Sequence, residues 1–259
     1  MKLQILGCAG GIGGREKLTT CFLLDDDILL DAGTGLATLE FEQLLAIDHV
    51  FITHSHLDHV SGLALLLDAV VGKRSSPVIV HATEQVIATL KTHLFNWLLW
   101  PDFAAIPDVE NPVLRWETMA TEATIDLNGR LISASAVDHT VDAVAYWVRT
   151  NSAGFLFSGD MAATPALWAR YCNEKLLTTV VVDCSFPDAE ADLAHLSRHF
   201  CPQALVADIR AMPYTTQFLI THLKPGQEED IMQELHAHDA RRLFTALKRA
   251  DVLVFEDGH

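Results

Sequence analysis

Short apolar runs, broken by glycine, aspartate and asparagine, recur along almost the whole chain. Runs of strand length fall at residues 3–6, 21–24, 28–30, 50–53, 78–80, 131–136, 143–149, 155–157, 180–182, 218–221 and 252–255. Several are apolar at consecutive rather than alternate positions, as strands buried on both faces require. Between them the pattern predicts helices over 36–46, 61–71, 84–99, 165–174, 189–199, 202–212, 228–236 and 241–250. Pro165 and Pro202 suit first-turn positions, where proline's missing N–H is not needed. Tight turns at 25–27 and 151–154 join neighbouring runs, so the sheets are not all parallel. The expectation is an α/β chain with helices on the outer faces of its sheets, in a single domain over residues 1–259.

No apolar run reaches the roughly 18 residues that a membrane span needs. The longest candidate, 62–71, carries Asp68. The opening Met1-Lys2-Leu3-Gln4-Ile5-Leu6-Gly7 is too brief and too quickly glycine-rich for a secretory segment. A chain of 259 residues that is 50% hydrophobic and 20% charged can bury a real core, which excludes disorder, collagen-like repeats and coiled coil. The formal charge of −16 repels phosphate backbones, and the closest basic pairs are Arg241-Arg242 and Lys248-Arg249. Polymeric nucleic acid and membrane are therefore not expected partners. A small anion is still admissible, because bound metal ions invert a local field. Cys8, Cys21, Cys172, Cys184 and Cys201 are odd in number and lack CxxC spacing, which reads as reduced thiols in a cytoplasm.

The 13 histidines change the picture through their placement. An apolar strand ends at Thr53, and His54-Ser55-His56-Leu57-Asp58-His59 follows at once. In a loop leaving a strand, His54 and His56 can point one way while Asp58 and His59 turn to a second point nearby. That suits two metal ions a few ångströms apart, each taking nitrogen and oxygen ligands. Three further groups stand just past apolar strands: His139, Asp160 and His222. One rim of the sheets would gather all seven.

This series resembles the ligand set of the metallo-β-lactamase superfamily, as do Leu6-Gly7-Cys8-Ala9-Gly10-Gly11 and Leu29-Leu30-Asp31-Ala32-Gly33-Thr34-Gly35. The resemblance runs nearly the whole length and implies an αβ/βα sandwich: two mixed sheets face to face, helices outside. By resemblance, His54, His56 and His139 hold one metal, Asp58, His59 and His222 hold the other, and Asp160 bridges them. Zinc is the default for such N/O ligands, with Mn or Fe able to occupy similar sites.

Within that superfamily, three stretches resemble the class-II cyclic-nucleotide phosphodiesterases. They are residues 90–103, residues 183–188 followed by 196–202, and Ile220-Thr221-His222-Leu223-Lys224-Pro225, with His56-Leu57-Asp58-His59-Val60-Ser61-Gly62-Leu63 in addition. Ala64, Asp68, Met161 and Phe200-Cys201 depart from that pattern, while every ligand is intact. The resemblance implies hydrolysis of a 3′,5′-cyclic nucleotide to the 5′-monophosphate by a water activated between two metals. Asp58, His199 and, as second choice, His195 are the catalytic candidates, the histidines as proton donors to the departing oxygen. A histidine that merely suits a helix end is the plain reading of His199.

His93 and Asn96 could reach phosphate or base edge, and Phe95, Trp97, Trp100 and Phe103 could stack on a purine. The same aromatic stripe reads equally as packing or as a homodimer contact. Residues 7–14 are glycine-rich, but another strand follows with no room for the helix that a dinucleotide site needs. The alternatives are a binuclear hydrolase of another phosphodiester, a lactone or a thioester, and an RNA-processing nuclease of the same fold, against which the charge argues.

Overall fold

The computed structural model describes residues 1–256. One sheet is built from β1 (Lys2–Gly7), β2 (Cys21–Leu24), β3 (Ile28–Leu30), β4 (His49–Phe51), β5 (Val78–Ala82), β6 (Leu114–Thr118) and the late β14 (Val252–Val254). Its spatial order is β14-β1-β2-β3-β4-β5-β6. The second holds β7 (Thr124–Leu127), β8 (Arg130–Val137), β9 (Ala143–Arg149), β10 (Gly154–Phe157), β11 (Leu177–Asp183), β12 (Gln217–Thr221) and β13 (Leu243–Ala246), in the order β13-β12-β11-β10-β9-β8-β7. Helices α1 (Phe41–Ala46), α2 (Leu57–Val70) and α3 (Glu84–His93) belong to the first half of the chain. Helices α4 (Pro165–Tyr171), α5 (Ala191–Ser197), α6 (Pro202–Asp208) and α7 (Glu228–His238) belong to the second.

Consecutive buried residues divide between the two faces of each strand, because side chains alternate along it. In β1, Leu3 and Ile5 enter the core between the sheets, and Leu6 enters the outer core beneath α2 and α3. In β11, Val181 points inward while Val180 and Val182 pack under the outer helices. Phe22 and Phe157 meet edge-to-face across the sandwich at 4.9 Å. The expected two mixed sheets with helices outside are therefore what the chain forms.

Strand direction explains why one rim matters. β1 and β3 are both antiparallel to β2, and β4 is parallel to β3. β8 and β10 are both antiparallel to β9, and β11 and β12 continue parallel to β10. With β5 and β6 parallel to β4, and β13 parallel to β12, five strands of each sheet point the same way, and their C-terminal ends release the chain where ligands gather in open α/β sheets.

Several expected elements differ. The helix expected over 241–250 is instead the edge strand β13, parallel to β12, with Phe244 drawn into the outer core. Its alanine and basic residues favour a helix locally, and pairing with β12 overrides that preference. The helix expected to reach 99 ends at His93, because Asn96 and a left-handed Trp97 turn the chain. The stretch 36–46 divides into a 3₁₀ turn and a short helix opened by a Glu40–Gln43 capping box. The segments 189–199 and 202–212 likewise mix α and 3₁₀ turns. Strands β6 and β7 went unpredicted because half or more of their side chains are exposed or polar and no apolar run marks them. Among the described residues no helix is long and apolar enough to cross a membrane.

One buried pair away from the rim carries a stability consequence. His81 in β5 is 1% exposed, stacks on Phe51 at 4.3 Å and shares a 3.0 Å hydrogen bond with His49 Nδ1. Burial, and then the nearness of His49, pushes His81 down to about 4 from 6.5. The folded protein holds it neutral while the unfolded chain takes up a proton, so this stability is full above about pH 6.5 and is lost toward pH 4. Between pH 7 and 5 the wild type is expected to lose about 2 kcal/mol more than His81→Phe in urea unfolding. Equal losses would show that the ring does not titrate this way.

Candidate metal centre

The segment after β4 is less loop than expected, since α2 begins at Leu57 with His56 as its N-cap. Asp58 and His59 therefore project from the first helical turn, where a carboxylate is also favoured by the helix dipole. His54 lies before the helix, and the N-cap His56 is in extended conformation. This change of direction separates the two pairs of side chains, as the spacing suggested.

Among the described residues three groups of donors form, one of them Asp183, His199 and His222. His54, His56, His139 and Asp160 offer ligand atoms all within 4.8 Å of one another, and so do Asp58, His59, Asp160 and His222. Asp160 is common to both. Its Oδ2 lies 3.7 Å from His54 Nε2, 3.3 Å from His59 Nε2 and 3.2 Å from His222 Nε2. His222 Nε2 also meets Asp58 Oδ2 at 3.1 Å, and His56 Nδ1 lies 3.2 Å from His139 Nε2.

Outward hydrogen bonds fix most of these rings. His59 Nδ1 donates to Asp31 Oδ2 at 2.7 Å, and His139 Nδ1 donates to the Arg198 carbonyl at 2.9 Å. Arg198 adopts a left-handed conformation at the end of α5, which turns its carbonyl to that task. His54 Nδ1 donates to Thr53 Oγ1, and His222 Nδ1 donates to Ser185 Oγ at 2.8 Å. Each bond commits Nδ1 and leaves Nε2 facing inward as a lone-pair donor, the tautomer that a metal ligand needs. His56 differs: its Nε2 lies near Thr140 Oγ1 at 3.4 Å, so Nδ1 is its inward atom.

Close backbone approach completes the frame. A Cβ on Gly10 would stand 2.3 Å from the His222 carbonyl oxygen and 2.7 Å from its Nδ1. The glycine run after β1 therefore serves contact with a ligand residue, not a dinucleotide.

The donors fit divalent metal. His54 Nε2 and His59 Nε2 are buried and have no hydrogen-bond partner, although both point at a carboxylate-rich centre. Leaving such atoms unpaired is costly unless something occupies the space between them. Burial holds His54, His56 and His139 below the usual histidine range, so they stand ready as neutral ligands. At His59 burial opposes the charged form, but Asp160 and Asp31 outweigh it and raise its pKa. Asp160 is buried, which favours its neutral form, yet His222 and His59 hold it ionised. Metal binding here displaces a proton and neutralises a buried carboxylate at once.

His199 joins this centre from the other side. Its ring stacks on His222 at 5.0 Å and stands edge-on to His139 at 5.1 Å. Nδ1 donates to Asp183 Oδ2 at 2.8 Å; burial lowers its pKa, Asp183 raises it, and the carboxylate wins. His195 is exposed on α5, and among the described residues no hydrogen bond or ring contact joins it to the centre. His93 is exposed at the end of α3, and among the described residues it too makes no such contact. The Asn96 amide is used locally: Oδ1 accepts from Leu98 and Leu99, and Nδ2 donates to the Thr92 carbonyl. Phe95 and Phe103 are core residues, and Trp100 Nε1 donates to the Ala64 carbonyl, so packing accounts for most of that stripe.

Asp31, Thr53, Asp183 and Ser185 were not picked out as functional residues. Asp31 and Asp183 each follow an apolar strand run, the same signal that marked Asp160.

Residues 34–142 match the family of class-II cAMP phosphodiesterases. The chain is 32% identical over 200 residues to a 3′,5′-cyclic-nucleotide phosphodiesterase of Schizosaccharomyces pombe, covering 67% of this chain and 56% of that protein. It therefore spans little more than half the length of that relative. It is 28% identical over 171 residues to endoribonuclease YSH1 of Yarrowia lipolytica, covering 57% of this chain and 20% of the other. The crystal structure of unliganded yeast PDE1 superposes with a TM-score of 0.82 at 18% identity, covering 97% of this chain and 98% of that one.

Asp160→Asn is expected to lower divalent metal content, read by elemental analysis, with the circular dichroism spectrum retained. Thr53→Val, which frees the His54 ring, should weaken metal affinity by about 10–100-fold. Full metal content in purified Asp160→Asn would overturn the assignment.

Proposed function

The chain has the metallo-β-lactamase fold and is related to the class-II cAMP phosphodiesterases, and from that premise we propose that it hydrolyses a 3′,5′-cyclic nucleotide to the 5′-monophosphate with two divalent metal ions. The observation that carries the reading is the pair of donor sets joined through Asp160, with a carboxylate-held histidine at their side. His54, His56 and His139 would hold one ion, Asp58, His59 and His222 the other, and Asp160 both. Zinc suits these nitrogen and oxygen donors, and Mn or Fe is the alternative. Bound there, the ions supply Lewis-acid charge to the phosphate and a water acidified toward neutrality.

The chain's own residues supply orientation and a proton. Asp31, Thr53 and Ser185 hold the rings so that little reorganisation accompanies the reaction. His199 is the proton donor: Asp183 holds Nδ1–H and favours the charged ring, which leaves Nε2–H to protonate the departing 3′ oxygen. A water oxygen bonds to phosphorus and gives up a proton to solvent as the P–O3′ bond breaks, the departing 3′ oxygen takes the His199 proton, and the phosphate stays on the 5′ oxygen.

A second reading, cleavage of RNA, is favoured by the likeness to the endoribonuclease, whereas the −16 charge opposes a polyanion. A cytoplasmic setting accords with the free thiols, which burial holds protonated at Cys8, Cys21, Cys184 and Cys201. A homodimer contact would be sought at the exposed Trp97, Leu98 and Leu99.

The zinc- or manganese-loaded protein is expected to convert 3′,5′-cyclic AMP to 5′-AMP, identified by chromatography, and to stop on chelation. His199→Gln should lower kcat by about 10²–10⁴-fold with metal retained. Cleavage of an RNA oligonucleotide with no turnover of either cyclic nucleotide would replace this reading by the second.

A further inference from the structure

A cavity of about 430 Å³ opens beside the metal centre and has His199 in its wall. One face of that ring stacks on His222, so the same side chain borders both spaces. The cavity is the right size for a small ligand. Its walls are largely alanine, with Ala162, Ala163, Ala194 and Ala204 beside Phe200. Small apolar side chains leave a slot for a flat, uncharged ring, with His195 at its exposed edge as the one further imidazole in the lining besides His199.

The polar groups at the slot are unequal. Asp138 is tied to the Arg198 guanidinium in an ion pair, so neither is free to read a ligand. Gln203 lines the cavity from the first turn of α6, where its backbone N–H donates to Asp188 Oδ1 at 2.9 Å. That bond uses the backbone alone; the side chain is exposed at the cavity mouth and its carboxamide N–H reaches the Cys201 thiol of the same wall, a contact that a bound base would replace. A carboxamide presents one donor and one acceptor side by side, which matches the N6 amino group and N7 of adenine; guanine shows two acceptors, O6 and N7, on the same edge.

We infer that this cavity receives the purine of the cyclic nucleotide and that Gln203 makes it an adenine site. The inference rests on the reading that the substrate is a 3′,5′-cyclic nucleotide. It suits ring opening at either ester, because both ester oxygens belong to the ribose and the proton donor must stand between phosphate and nucleoside. His199 stands between the metal centre and this slot. Asn96, the other amide considered for base recognition, has both its oxygen and its nitrogen engaged in its own turn.

The test compares kcat/KM for 3′,5′-cyclic AMP and 3′,5′-cyclic GMP in wild type, Gln203→Leu and Gln203→Arg, with calorimetric binding of 5′-AMP and 5′-GMP to the same proteins. The ratio of the two substrates is insensitive to a general loss of active protein. Wild type is expected to prefer the adenine ligands. Gln203→Leu should reduce that preference by about tenfold or more, and Gln203→Arg should shift it toward guanine, whose two acceptors suit a guanidinium. Turnover of cyclic AMP with a ratio unmoved in both variants would overturn the base site and leave the hydrolysis standing. No turnover of either nucleotide by wild type would overturn the reading beneath it.

Discussion

Two buried carboxylates hold the centre in shape, one from each sheet. Asp31 follows β3 and Asp183 ends β11, and both are wholly buried. Asp31 takes His59 Nδ1–H directly and reaches His54 through the Thr53 hydroxyl. Asp183 takes His199 Nδ1–H directly and reaches His222 through the Ser185 hydroxyl, which donates to Asp183 Oδ1 at 2.6 Å. Each half of the sandwich thus uses one carboxylate to set two imidazoles, one by contact and one by a relayed hydroxyl. Were either carboxylate neutral and free to rotate, two rings would lose their tautomer together, which is why the arrangement must be dry and tightly packed.

Such burial has a cost that the fold offsets locally. Desolvation raises the Asp31 pKa above the usual carboxylate value, and His59 with the Thr53 amide and hydroxyl draws it only part of the way back. The Thr53 N–H reaches Asp31 Oδ1 at 2.8 Å and its hydroxyl reaches both oxygens, so the acceptor sites are filled. Asp31 also adopts a left-handed backbone, uncommon for a residue other than glycine and tolerated by aspartate. A strand that simply continued would aim this carboxylate off one face of the sheet; after the turn it meets the Thr53 N–H just beyond the end of the neighbouring β4. The conformation and the hydrogen bonds are one device.

How far the sequence reveals this depends on distance along the chain. His54 to His59 lie within six residues, so local spacing sufficed to anticipate their grouping. His139, Asp160 and His222 were legible only through a rule about strand ends, and the parallel run of β8, β10 and β12 makes that rule work. Asp31 and Asp183 satisfy the same rule, but a lone carboxylate after a strand lacks the histidine density that marks residues 54–59. Asn96 shows the opposite error: an amide amid aromatics suggests recognition, whereas its contacts show a turn former. No local pattern could reveal β13, whose helical composition yields to the edge of β12.

The same geometry resolves an apparent conflict between charge and substrate. A chain of −16 should repel a phosphate, and the donor sets add Asp58 and Asp160 to that repulsion. Both of these carboxylates, however, sit among imidazoles close enough to share protons, and divalent ions in the same space exceed the charge they replace. The field then changes sign over a few ångströms, while the rest of the surface stays negative. A small phosphodiester can enter such a spot with its single charge; a polyanion must lay its neighbouring phosphates along the unreversed surface. On the proposed reading, a preference for short substrates would follow from where the metals would sit.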